Sequence, residues 1–418
     1  MKGKYRMKCI LCIVISLFIL LVLQLNPGFI LSIQIFMFEK PLEKYVIVFD
    51  GGSTGTRMHV YMFLSYSNGR ITLEDEYVEK TKEYLTKLAS EPKKVAISIS
   101  ELLEKARSYI PMGKWRKTPV ELKGTGGLRA QSPRKKNIIL RKVRQVFKKS
   151  PFLCNNDSAT ILEGEEEGIY AWYSLNFLLG RLNDVSHSAI STDLGGQSFE
   201  ITLSSDGAKT PSADTRNYYL LPKLQQKPIS LYTRSYAGFG GVSARLSLMP
   251  PSSGYLAIAE NNGTYEVLHP CFHPLDKFFW EGNLKKRMIE VNSSELYSFE
   301  NCYRKATEYL RSSIDLKSID FGGRDFYGLK GQFDHAYEIG AIDNKNDVCT
   351  VGEFVNACRS FCNSYEILST FTCLDCSYIS ALWIHGLGLD SKMVIKFAEE
   401  IRGIGTGWAL GVALSLLQ

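Results

Sequence analysis

Two short loops in this chain carry the residue types that polyphosphate chemistry requires. The first is Asp50–Gly51–Gly52–Ser53–Thr54–Gly55–Thr56–Arg57. Its glycines let backbone N–H groups converge on an anion with no Cβ in the way. Ser53, Thr54 and Thr56 add hydroxyl donors, and Arg57 balances charge. Asp50 repels a phosphate directly, but it can hold a hydrated divalent cation that bridges to one. The second loop, Asp193–Leu194–Gly195–Gly196–Gln197–Ser198, repeats the order of aspartate, paired glycines and hydroxyl. Two such loops facing each other can grip one polyphosphate. The aspartates then share a metal through its waters, and Ser198 places the attacking water. Either loop alone also reads as a hairpin turn. The pair is what lifts the reading above a chance glycine motif.

Hydrolysis of a phosphoanhydride also needs a carboxylate to orient and deprotonate water. The run Glu163–Gly164–Glu165–Glu166–Glu167–Gly168 offers candidates at the start of a helical stretch to Leu182. On residue types alone the plainer reading wins here, an acidic first turn matched to the helix dipole. Lys123–Gly124–Thr125–Gly126–Gly127–Leu128–Arg129 divides evenly between a glycine-rich turn and a phosphate contact through Thr125 and Arg129.

The elements around these loops have a repeating order. Tyr45 to Phe49 (YVIVF) is a β-branched and aromatic run that predicts a strand, and Met58 to Phe63 predicts its return. Val95, Ile99, Leu102, Leu103 and Ala106 have helical spacing. Pro119 to Lys123 reads as a short strand, and Ser132–Pro133 opens a basic helix. Ser188 to Thr192 and Phe199 to Leu203 then repeat the strand–loop–strand unit about 140 residues later, which predicts two similar domains face to face. A helix opening at Trp408 is expected to pack back on the first domain.

The chain has 418 residues, enough for two domains, and a formal net charge of +7. No nucleic-acid motif accompanies that excess, so it suits anionic substrates better. Lys2, Lys4, Arg6 and Lys8 precede the apolar run Cys9 to Leu25, which is long enough to span a bilayer. Positive charge before the run holds the N-terminus in the cytosol, so the rest would face a lumen, anchored or released by cleavage. Sequons at Asn156, Asn262 and Asn292 agree with this. So do eight cysteines beyond the run, five of them between Cys349 and Cys376. They suit disulfides better than zinc, because Cys373–Leu374–Asp375–Cys376 has no second paired motif.

Taken together, five segments resemble the conserved regions of the apyrase, or nucleoside triphosphate diphosphohydrolase, family. They are FDGGSTGTRMHVY, LKGTGGLR, ILEGEEEGIYAWYSLNFLLG, TDLGGQSFEI and GWALGVALSLL, in family order from about Tyr45 to the last residue. KTPVELKGTGGLR, RSYAGFGGVSAR and CLDCSYISALW look most like the endoplasmic reticulum–Golgi nucleoside diphosphatase branch. The resemblance implies an α/β, actin-like (ribonuclease-H-like) two-lobe fold with a central mixed sheet in each lobe. Residues 43–165 and 397–418 would form the N-terminal lobe, 166–396 the C-terminal lobe, and 1–42 the basic tail and signal or anchor. It implies Ca²⁺ or Mg²⁺ and hydrolysis of UDP or GDP without a covalent phosphoenzyme. It also implies a Golgi or endoplasmic reticulum lumenal, type II membrane-anchored protein, monomeric or weakly oligomeric.

Residue by residue, Asp50 and Asp193 match the metal-water aspartates and Glu167 the general base. Gly52, Ser53, Thr54, Gly55 and Thr56 match the first phosphate loop, with Arg57 beside it. Thr125 and Arg129 match the second region; Gly195, Gly196 and Ser198 match the second loop, and Gln197 between them is a candidate phosphate-binding position. Tyr327 lies where the family places nucleobase-contacting aromatics. The branch pattern pairs Cys271 with Cys302 and Cys362 with Cys373; outside that pattern, Cys349 is expected to pair with Cys358 or Cys376.

The departures surround this set. Gly51, Gly124 and Gly126 stand where the family has alanine, which predicts looser backbone. Gln197, Phe199 and Glu200 replace a small residue, threonine and glutamine. Gln197 is expected to crowd the phosphate, and Glu200 to add negative charge. They motivate the alternative of a catalytically weakened nucleotide-binding relative. A sugar or acetate kinase of the same superfamily fits the membrane segment, sequons and Glu–Gly helix less well.

Overall fold

The computed structural model describes residues 40–417 apart from 53–54, 82–83, 206–214, 219–228, 250–256, 262–263, 275, 283–284, 292–296, 312–318, 320, 322, 345–346 and 365–369. The expectations on Ser53, Thr54, Asn262, Asn292 and the N-terminal apolar run therefore lie outside the described residues. The chain divides into two compact units. One holds Met1–Lys44 and Phe63–Glu74, the other Tyr45–Met62 and Asp75–Gln418. In the first, Tyr66 N–H donates to Arg70 O at 2.9 Å, and the Arg70 guanidinium lies over the Tyr66 ring. Gly69 turns this corner at φ 82°, a left-handed conformation that costs glycine little. Every candidate phosphate-site residue belongs to the second unit.

Five strands form one sheet: β1 (Leu42–Gly51), β2 (Thr56–Ser65), β3 (Ile71–Thr81), β4 (Val120–Gly124) and β5 (Ala159–Ile161). Their order is β3-β2-β1-β4-β5, with β1–β4 and β4–β5 parallel. Val46 to Phe49 are fully buried, as a continuous apolar run in a parallel pair should be. Helix α1 (Pro92–Tyr109) buries Val95, Ile99, Leu102, Leu103 and Ala106, the apolar stripe read from spacing. A one-turn helix, α2 (Gly126–Arg129), follows β4. Helix α3 (Pro133–Lys149) buries Ile139, Leu140, Val143 and Phe147 and exposes Arg134, Lys135, Arg141 and Lys149.

After α4 (Gly164–Leu178) comes a seven-stranded sheet, with a smaller sheet inserted along the chain. The strands are β6 (Ile190–Leu194), β7 (Ser198–Ser204), β8 (Thr215–Tyr218), β9 (Ile229–Ala237), β10 (Ala257–Asn261), β11 (Thr264–Val267), β12 (Lys277–Gly282), β13 (Lys285–Val291), β14 (Phe326–Leu329), β15 (Val348–Thr350) and β16 (Val394–Ala398). The large sheet runs β15-β16-β14-β6-β7-β9-β8, and the inserted one β10-β11-β13-β12. Without its edge strands β8 and β15, the large sheet keeps the first sheet's order. Its first, fourth and fifth strands, β6, β14 and β16, pair parallel, while β6–β7 and β7–β9 pair antiparallel. The duplication seen in the loops is therefore a duplication of whole sheets.

Helices α5 (Gly241–Leu248), α6 (Phe299–Arg311), α7 (Lys330–Glu338), α8 (Val351–Asn363) and α9 (Thr372–Ala381) belong to the second sheet's core or its periphery. Disulfides join Cys271 to Cys302, Cys358 to Cys376 and Cys362 to Cys373. The last two staple α8 to α9. Cys349 is a buried free thiol, so its expected pairing is corrected: it lies on β15, while Cys358 and Cys376 face each other across two helices. Cys358, Cys362 and Cys376 are close enough to hold a metal, but all three are consumed by disulfides.

The closing helix, α10 (Trp408–Ser415), packs on α4. Gly411 makes this close: its N–H donates to Ser174 Oγ at 2.8 Å, and a Cβ there would lie 2.3 Å from Tyr170 O. Tyr170 bonds Ser415 and feels Glu121 of β4, while α4 itself packs on β6, β7 and β9. Among the described residues no helix is long and apolar enough to cross a membrane.

Candidate active site

Both aspartate loops leave the ends of the first strands of their sheets. Asp50 closes β1 level with Lys123, and Asp193 closes β6 opposite Glu200. Arg57 Nη1 donates to Asp50 Oδ2 at 3.3 Å. Asp50 Oδ1 and Thr56 Oγ1 are buried with no hydrogen-bond partner among the described residues. Burial raises the Asp50 carboxyl, an effect opposed by Arg57. Burial and the neighbouring Asp50 push Asp193 up to about 6. An all-oxygen donor set, buried and short of positive charge, fits a hard divalent cation.

The acidic run at α4 splits by role. Glu166 bonds back to the Glu163 N–H at 3.1 Å and caps the helix, while Glu163 and Glu166 stay exposed. Glu167 turns inward and is 9% exposed. Arg129 Nη2 reaches it at 3.4 Å and donates to Ser198 Oγ at 3.3 Å, while Nη1 is fixed by Leu162 O at 2.7 Å. One guanidinium thus joins the second region, the helix and the second loop. Burial, then Glu200, Asp193 and Asp50, raise Glu167 well above the usual carboxylate range, with Arg129 opposing. The four carboxyl groups sense one another, as a shared polyanion–cation site requires.

Glu200 is 1% exposed and accepts from Ser235 Oγ at 2.8 Å. Burial and Asp193 raise it, so the neutral acid is favoured. A neutral carboxyl has one donor and one acceptor face, like the amide of the glutamine that the resemblance leads one to expect there. The expected extra negative charge is therefore suppressed. Gly168 lets α4 approach this spot: a Cβ on it would lie 2.8 Å from Thr202 Oγ1 and 3.3 Å from Glu200 Cβ.

The glycine departures are also resolved by packing. A Cβ on Gly124 or Gly51 would lie 2.7 or 2.9 Å from Leu128 Cδ1, and one on Gly126 would lie 2.7 Å from Gln197 Cβ. Leu128 and Gln197 occupy the space that alanine methyls would take. The expected looseness is corrected to a filled contact between Gly126 and the second loop. Thr125 is buried at the N-cap of α2, its N–H on Gly51 O at 3.2 Å.

A model of the GDA1/CD39 (nucleoside phosphatase) family matches residues 37–418. The chain belongs to that family. This nucleoside phosphatase is 36% identical over 384 residues to ectonucleoside triphosphate diphosphohydrolase 5 of Bos taurus, covering 90% of this chain and 88% of that protein. It is 35% identical to nucleoside diphosphate phosphatase ENTPD5 of Homo sapiens, covering 90% and 87%. The corresponding figures for ectonucleoside triphosphate diphosphohydrolase 6 of Mus musculus are 35%, 88% and 80%. A crystal structure of nucleoside triphosphate hydrolases from Neospora caninum superposes with a TM-score of 0.64 at 14% identity, covering 94% of this chain and 96% of that one. The family fold is the actin-like two-lobe fold with a mixed sheet in each lobe.

Tyr327, the expected nucleobase contact, lies in the second sheet of this phosphatase. It sits within β14 level with Ser191, 9% exposed, with Lys396 Nζ 5.9 Å from its ring centroid. Its place on β14 is two residues short of the Asp193 level. Asn156 is exposed and accepts from Lys148 Nζ at 3.0 Å. Residues that the sequence segments contained but to which no role was given include Ser235, Leu162 and the Gly238–Ser243 segment beneath the second loop. The paired Gly240–Gly241 was their visible trace.

Proposed function

We propose that this phosphatase hydrolyses the terminal phosphoanhydride of nucleoside diphosphates, UDP and GDP foremost, with Ca²⁺ or Mg²⁺ in the lumen of the secretory pathway. The observation that carries the reading is the Arg129 bridge between buried Glu167 and Ser198, beside both aspartates. The Homo sapiens relative is named as a nucleoside diphosphate phosphatase and the Bos taurus and Mus musculus relatives as ectonucleoside triphosphate diphosphohydrolases, and the basic tail with its apolar run, the disulfides and the sequons favour a lumenal, membrane-anchored protein.

Asp50 and Asp193 would hold the cation through water. When bound, the ion offsets the negative charge of the phosphate oxygens. Glu167 accepts the proton of the attacking water, oriented by Ser198. Arg129 opposes the effect of burial on Glu167 and so favours its ionised form. Gly195, Gly196, Gln197 and the Gly52–Thr56 loop present donors to the phosphates, with Arg57 and Thr125 at its margin. The acceleration rests on placement and electrostatics rather than a covalent intermediate. Phosphate release from UDP, GDP and UTP with each cation tests the reading. Glu167→Gln is expected to lower turnover at least ~10²-fold with UDP binding retained. Full activity in Glu167→Gln would remove Glu167 as the base.

A further inference from the structure

We propose that Arg245 is a positioning residue for the second phosphate loop, holding it to the disulfide-stapled helix α9. The inference rests on the nucleoside diphosphatase reading and concerns a residue that does not touch substrate.

The loop rests on the start of α5. Gly241 N–H donates to Gly195 O at 2.9 Å and Ser243 N–H to Gly196 O at 3.0 Å. Gly238 N–H donates to Gln197 O at 2.8 Å. Ser243 Oγ adds contacts to Gln197 O at 3.3 Å and Gln197 Oε1 at 3.2 Å. A Cβ on Gly240 would lie 2.5 Å from the backbone of Gly196, Gln197 and Ser198, so nothing larger than glycine fits beneath the loop. Three successive carbonyls therefore point at α5. In a trans peptide, C=O and N–H point to opposite sides. The N–H groups of Gly196, Gln197 and Ser198 are thus aimed away from α5, where phosphate donors are needed.

This bed is only as steady as α5, a helix of 8 residues. Its charged tie is Arg245. Nε donates to Asp375 Oδ1 at 2.7 Å, and Nη2 closes the fork on Oδ2. The guanidinium also lies 4.7 Å from the Phe371 ring centroid. Asp375 is almost fully buried, with His335 Nε2 at 4.0 Å. It lies between Cys373 and Cys376, both bonded to α8. A bidentate Arg–carboxylate pair fixes direction as well as distance, which a lysine cannot reproduce. The chain of restraint runs from α8 and α9 through Asp375 and Arg245 to α5 and the loop carbonyls.

The test uses the full-length protein with Ca²⁺ and compares UDP with UMP, which lacks the terminal phosphate. Arg245→Lys is expected to lower kcat for UDP about 10- to 100-fold, the scale of a loop displaced by about 1 Å. UMP affinity should change less than about threefold, well under the tenfold that 1.4 kcal/mol represents. General misfolding would move both equally. Because Arg245→Lys can unsettle the buried Asp375, the double variant Arg245→Met/Asp375→Leu is measured beside it; apolar pairs of this kind commonly retain fold stability. Loss of UDP turnover with UMP affinity kept, in either variant, supports the assignment. UDP turnover within about twofold of wild type in both, or parallel loss of UDP turnover and UMP binding in both, overturns it. A wild-type protein inactive on UDP would instead defeat the diphosphatase reading itself.

Discussion

Gly126→Ala is the substitution whose outcome the packing specifies most closely. The added Cβ would sit 2.7 Å from Gln197 Cβ, 3.3 Å from Gln197 Cγ and 3.7 Å from Arg129 Nη2. Carbon atoms prefer about 3.5–4.0 Å, so the first contact is short by roughly 1 Å. Gln197 Cβ is tied to the loop backbone, so relief requires moving the loop and not merely turning a side chain. Overpacking of this kind costs about 1–3 kcal/mol, offset by up to about 1 kcal/mol from alanine's helix preference. The net expectation for Gly126→Ala is a loss of about 1–2 kcal/mol in stability, with kcat/KM on UDP falling about tenfold or more as the loop shifts. Gln197→Gly alone opens space at the same contact, because it removes the Cβ. Gly126→Ala/Gln197→Gly exchanges one filled contact for another, so it should be more stable and more active than the sum of the single changes by about 1–3 kcal/mol. Denaturant titration at constant m-value and phosphate release from UDP measure both cycles. Additivity within about 0.5 kcal/mol would show that the two residues do not share this space.

Other changes probe separate parts of the molecule. Gly411→Ala drives a methyl into Tyr170 O at 2.3 Å and should destabilise the fold by about 2–4 kcal/mol, more than the one-methyl scale of ordinary overpacking; an unchanged Tm would contradict the close α4–α10 contact. Glu200→Gln should leave turnover near neutrality within about threefold and abolish any alkaline loss that comes from ionising this raised carboxyl; an unaltered pH–rate profile would count against a neutral Glu200. His269 donates through Nε2 to Leu248 O at 2.9 Å and accepts the Cys271 N–H on Nδ1 at 3.2 Å, so it is held neutral, and burial pushes it down to about 4. Its unfolded form binds a proton first, near 6.5, so stability falls as pH drops from about 6.5 toward 4, by up to about 3 kcal/mol. His269→Gln should flatten that slope in denaturant titrations between pH 7 and 4, and an equal slope in both proteins would refute the assignment.

Much of this protein is written locally. The strand–Asp–Gly–Gly–hydroxyl unit could be seen twice because each loop is contiguous, and YVIVF and the Val95–Ala106 stripe carry their own periodicity. Cys271, Cys302, Cys362 and Cys373 could be paired only because a resemblance supplied the pattern. What depended on tertiary structure was every choice among chemically equivalent residues. Four glutamates stand at the start of α4, and only the inward turn of Glu167 toward Arg129 separates a site carboxylate from helix-capping ones. Gly126 and Gln197 are 71 positions apart, so no local reading could show that one fills the other's space. The neutrality favoured at Glu200 follows from burial beside Asp193, whereas its residue type alone predicts a negative charge. Tyr327 has a suitable residue type at a suitable place along the chain, but its level beside Ser191 is set by strand register. Local sequence sets backbone preference and residue chemistry over a few neighbours. Which groups lose water, and which meet across a cleft, is decided only when distant segments pack.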